Sequence, residues 1–209
     1  EICACLVGSE MCIRDSWYSI NGNIDYQRTS RKNKQRMITF SYKINTQPQT
    51  SNSNTGYEDI HAKEEVDDLV KRLLLKNSQS DGKTNAMEQT FQVDYTTPIG
   101  ELHTVEAGAK YIFRRNTSDN KLYEAAGGSD DYLYNEDRSS DYRHLNHILA
   151  AYLGYTLKYK DFTFKPGVRY EQTVQRVKYI VGPGENFHTN FSDCLLYTSP
   201  SPRDMRRSR

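Results

Sequence analysis

Apolar and polar residues alternate along this chain in paired runs. Tyr18, Ile20, Gly22, Ile24 and Tyr26 are separated by Ser19, Asn21, Asn23, Asp25 and Gln27. A spacing of two places alternate side chains on opposite faces of an extended strand, so this run predicts a strand with one apolar and one polar face. After a basic, polar turn over 29–35 the rhythm returns as Ile38, Phe40, Tyr42 and Ile44 against Thr39, Ser41, Lys43 and Asn45, completing a hairpin. A second hairpin sets Phe91, Val93, Tyr95 and Thr97 against Thr90, Gln92, Asp94 and Thr96. It turns near 98–102 and returns through Val105, Ala107, Ala109, Tyr111 and Phe113, with Ile112 interrupting the polar face. The third descends from about 147 to 158, apolar on both faces over 148–159, and climbs through Phe162, Phe164, Val168 and Tyr170. Pro166 has no N–H to give a ladder, so it predicts an irregular or unpaired point.

Each run matches the roughly nine to eleven residues with which a tilted strand crosses a bilayer. The connections near 29–35, 98–102 and 159–161 are short, whereas 47–86, 115–145 and 176–193 read as long polar excursions. Long loops gathered at one end suit an outer-membrane barrel, with short periplasmic turns and long extracellular loops. Tyr18, Tyr26, Tyr95, Tyr111, Tyr159, Phe162 and Tyr170 stand in the apolar rows, often toward strand ends, where rings with polar tips suit the interface. The expected fold is therefore all-β: a partial transmembrane antiparallel β-barrel of about six strands in three hairpins. A soluble or surface all-β binding module and a barrel without a plug, acting as a passive porin, are the alternatives. Within the first excursion Val66, Leu69, Val70, Leu73 and Leu74 fall at helical spacing; a helix there, or an extension of the next strand from Leu73 to Lys76, fits equally.

The two ends change the inventory. Residues 6–15 can be written as CTC GTG GGC TCG GAG ATG TGT ATA AGA GAC, which resembles a transposon-based sequencing adapter, and 194–204 fits the reverse complement in one frame. The chain is therefore expected to divide into adapter at 1–16, barrel at 17–193 and adapter at 194–209, with 17–193 an interior piece of something longer. Cys3, Cys5, Cys12 and Cys194 all fall in the ends, so no disulfide or metal framework is read from them. Removing five basic and four acidic residues from 28 and 27 leaves 23 of each. A near-zero balance gives no reason to expect a nucleic-acid partner.

At 23–28 (NIDYQR), 91–98 (FQVDYTTP) and 103–111 (HTVEAGAKY), joined by 148–152, 167–171 and 190–193, the chain resembles a TonB-dependent receptor of the outer-membrane β-barrel family. The resemblance covers essentially all of 17–193. It implies a bacterial outer-membrane location and import of a bulky, scarce nutrient such as a metal chelate, a vitamin or an oligosaccharide. It also implies partners: outer-membrane lipid, a plug domain, and an inner-membrane energy-transducing complex, the last two engaged through other parts of the protein. Asn21, Asp25, Thr39, Ser41, Lys43, Asp94, Glu106, Lys110, Lys165, Arg169 and Glu171 are the lumen-facing candidates. Most of these are expected only to solvate the lumen or touch the plug.

Other chemistry is weaker. Asp130, Asp131, Glu136, Asp137 and Asp141 beside Gly127 and Gly128 offer hard oxygens, but their spacing matches no defined calcium loop. His144 and His147 lack a third ligand for a metal site. Gly182-Pro183-Gly184 reads as a turn, and the Asn116 and Asn190 sequons as chance. No nucleophile, base and orienter can be assembled, so the expectation is no enzyme, no metal and no cofactor.

Overall fold

The computed structural model describes residues 2–6, 9–56, 76–126, 131–160 and 162–198. They form β1 (Ile2–Leu6), β2 (Ser9–Trp17), β3 (Ile20–Thr29), β4 (Met37–Gly56), β5 (Lys76–Ile99), β6 (His103–Ala126), β7 (Leu133–Tyr159), β8 (Phe162–Phe164), β9 (Pro166–Val181) and β10 (Phe187–Thr198). All lie in one antiparallel sheet in the order β1-β2-β4-β5-β6-β7-β9-β10, with β3 paired to β4 and β8 to β7. The sheet does not close. The ends read as adapter supply β1, most of β2 and the last residues of β10.

Two prolines punctuate the ladder for the same reason. β3 pairs with Met37 to Thr46 of β4 and β2 with Gln49 to Gly56, so the two run along one edge. The break between them faces Pro48, whose nitrogen cannot donate; the Tyr18 N–H bonds the Pro48 carbonyl at 3.3 Å. Likewise Lys165 separates β8 from β9, and pairing with β7 resumes only at Gly167 opposite Gly154. The irregularity expected at Pro166 is present.

The strands outrun the apolar rhythm. β7 alone has 27 residues, more than twice the roughly nine to eleven that span a bilayer. The described residues of the excursions read over 47–86 and 115–145 are strand apart from 131–132, and 176–193 is strand apart from 182–186. Beyond the apolar rows both faces of these strands are polar, so alternation carries no signal there. Residues 46–56 and 76–90 are accordingly built from Thr, Gln, Ser, Asn and Lys with little apolar content. Residues 66–74, where a helix was a possibility, lie outside the described residues, as do Gly127 to Asp130.

Burial is inverted relative to a water-soluble domain. Ile24 is 70% exposed, Phe40 44% and Val93 37%, while among the described residues the buried apolar side chains are Ala125, Ala150 and Val177. A sealed sandwich core would enclose these rows; here they remain uncovered.

Candidate functional site

Residues directly opposite one another in a ladder share a face, so the register shows what each face holds. One face carries Tyr26, Phe40, Val93, Ala109, Ala151 and Tyr170 in a single row. The adjacent row on that face runs Ile24, Tyr42, Phe91, Tyr111 and Leu149. Rings touch along it, Tyr42 and Phe91 at 4.7 Å between centroids. Cross-strand aromatic pairs of this kind add to sheet stability.

The other face is polar. Its rows run Asp25, Ser41, Gln92, Lys110, Ala150, Glu171; then Thr39, Asp94, Gly108, Tyr152, Arg169; then Asn21, Asn45, Glu88, Arg114, Asn146, Gln175. Glu106 stands one row further along, between Thr96 and Gly154. With Lys43, which lies between Asn23 and Thr90, ten of the eleven candidate residues share this face; Lys165 lies outside the ladder. Asp94 accepts hydrogen bonds from Gln92 at 2.7 Å and from the Tyr152 hydroxyl at 2.5 Å. Asn23 donates to Asp25 at 3.0 Å, Arg169 pairs with Glu171 at 2.9 Å and Arg114 with Glu88 at 2.5 Å. Gln92, Tyr152, Glu88 and Arg114 were not among the candidates, although Gln92 and Arg114 already sit in the polar alternation.

Tyr152 reaches Asp94 by crossing Gly108. A Cβ on Gly108 would lie 2.4 Å from the Tyr152 ring, so glycine is what leaves the ring its place. The interruption of the polar face at Ile112 is also resolved, since Ile112 pairs with Ile148, the apolar residue on the corresponding face of β7. Higher on β7, His144 Nε2 and Asn146 Oδ1 are buried without a hydrogen-bond partner among the described residues. Both project from the polar face, two residues apart, as ligand or water sites do.

His147, three residues from His144, projects from the opposite face, where the Tyr111 hydroxyl meets its Nδ1 at 2.7 Å. An odd separation on a strand keeps the two histidines apart. Of the acidic cluster, Asp130 is outside the described residues and Glu136 and Asp137 sit in a bulge. Among the described residues no group of three metal-ligating side chains converges.

That bulge shapes the end of the sheet beyond the apolar band. Asn120 pairs with Ser140 but Leu122 with Asn135, so 136–139 loop out of β7. Ser139, 2% exposed, accepts from the Leu122 N–H at 3.0 Å and donates to the Asn135 carbonyl at 2.6 Å. Glu124 receives Asn135 at 2.9 Å, Lys76 at 3.2 Å, and Arg138. The Asn135 amide, opposed by burial and joined by Lys76 and Arg138, holds the Glu124 carboxyl below its ordinary range. A carboxylate with a lowered folded value stabilises above its unfolded value, and that contribution disappears as pH falls through the folded one. Glu124→Gln is therefore expected to speed amide exchange at Leu122 and Arg138 about tenfold at neutral pH. Acidification should lower the protection factors of the same amides, after correction for the intrinsic pH dependence of exchange, in the unsubstituted chain and little in the variant.

The model of a family described as "Outer membrane protein beta-barrel family" matches residues 29–195. No curated protein matches the sequence. Among solved structures, the unliganded ferric citrate transporter FecA is similar at 14% identity and a TM-score of 0.40. The alignment covers 90% of this chain and 33% of that one, so the chain spans about a third of its length.

Proposed function

This chain belongs to the outer membrane protein β-barrel family, and from that membership we propose that it forms part of the wall of an energy-driven importer of TonB-dependent type. The carrying observation is the pair of opposed faces: an uncovered apolar row for lipid and a hydrogen-bonded polar row for a lumen. In this reading Asn21, Asp25, Thr39, Ser41, Lys43, Asp94, Glu106, Lys110, Arg169 and Glu171 line that lumen, with Lys165 at its rim. The turns at 30–36 and 100–102, and the one entered at Lys160, end close to the apolar band and face the periplasm. The far end, with its long strand extensions, faces outward. Residues 1–16 and 194–209 have no role in the proposal.

A plugged importer and an open porin differ in conductance. The full-length barrel, extracted from outer membranes with detergent and placed in planar bilayers in potassium chloride, is expected to stay closed. Steady open-pore current from the intact protein assigns it to the passive class instead.

A further inference from the structure

We infer that the turn between β3 and β4 holds the phosphate of an anionic phospholipid in the periplasmic leaflet. Ile24, Tyr26 and Arg28 project from one face of β3. Arg28 pairs with Ile38 and Ile38 with Tyr95, so this is the lipid-facing side. The apolar row thus ends in a cation where hydrocarbon gives way to headgroups. There a cavity of about 550 Å³ is lined by Arg28, Arg31, Lys32 and Arg36 together with Ile38 and Tyr95.

The turn is ordered by its own bonds. The Ser30 N–H meets the Arg36 carbonyl at 2.9 Å, the Arg36 N–H meets the Asn33 carbonyl at 3.0 Å, and the Gln35 N–H meets Asn33 Oδ1 at 2.9 Å. Arg36 Nε is fixed on the Thr97 hydroxyl at 3.0 Å. Arg28, Arg31 and Lys32 make no ion pair with a described residue. Cations gathered without a counter-charge repel one another, and an anion between them relieves this. Guanidinium forks match phosphate oxygens. Ile38 and Tyr95 give the acyl chains an apolar wall, which distinguishes a lipid from a free oxyanion. The site rests on the periplasmic orientation of this turn and is independent of the cargo.

The test uses the full-length barrel, stripped of lipid in detergent and offered phosphatidylglycerol or phosphatidylcholine, with retained lipid counted by native mass spectrometry. Phosphatidylglycerol is expected to be retained at least tenfold better. Arg28→Gln/Arg31→Gln/Lys32→Gln should abolish the preference while the barrel keeps its heat-modifiable migration. If that variant does not fold, salt serves instead: raising ionic strength should erode the preference of the unsubstituted barrel. Equal retention of both lipids, a preference that survives the substitutions, or insensitivity to salt overturns the inference. Displacement of the lipid by millimolar inorganic phosphate assigns the site to a free anion and overturns it as well. Planar-bilayer conductance is unaffected by any of these results, so the importer reading stands or falls separately.

Discussion

A barrel carrying Val93→Arg is expected to be about 1–3 kcal/mol less stable in lipid vesicles than the unsubstituted one, the cost of a cation on a lipid face between the interface and the bilayer midplane. Val93 is 37% exposed, between Phe40 and Ala109 across the sheet and one alternation inward from Tyr95. An arginine there must abandon water or drag it into hydrocarbon. Ser41→Arg is the matched control. Ser41 belongs to the polar face, across from Asp25, and its arginine should change stability by less than about 1 kcal/mol. Reversible denaturant unfolding in vesicles measures both. Equal costs at the two positions would falsify the assignment of lipid and water to these faces.

The second large effect concerns a missing methyl group. Gly108→Ala puts a Cβ 2.4 Å from the Tyr152 ring, which must then swing away and release Asp94. Overpacking of this kind costs about 1–3 kcal/mol, and losing a hydrogen bond to a carboxylate adds roughly another 1.5 kcal/mol or more. The two losses are coupled through one ring, so a double-mutant cycle separates them. In a Tyr152→Ala background the same glycine substitution should cost under about 0.5 kcal/mol, since the ring that the new Cβ meets is gone. An undiminished cost in that background places the strain elsewhere.

The hairpins were legible in the chain because each lies where lipid and water meet, and that boundary writes itself as alternation. Tyr18 to Ile44, Phe91 to Phe113 and Phe162 to Tyr170 all carry it. The strand extensions were not legible, since Thr50 or Lys83 obeys the same demand on either side. Partners across the sheet were hidden too. Ile112 read as a flaw until Ile148 was found opposite it, and the Glu124 cluster joins residues from β5, β6 and β7 that no local pattern connects. His144 and His147 could have been separated beforehand, because odd spacing on a strand already puts them on different sides.

The long ladder also constrains how such a chain can vary. Between Val105 and Phe113 the loss or gain of one residue would turn every later side chain inside out, sending Lys110 toward hydrocarbon. Along Thr46 to Gly56 the same change moves one hydrophilic group into the place of another. Sequence length is therefore free to drift along the strand extensions, while the segment within the bilayer can change only in steps of two.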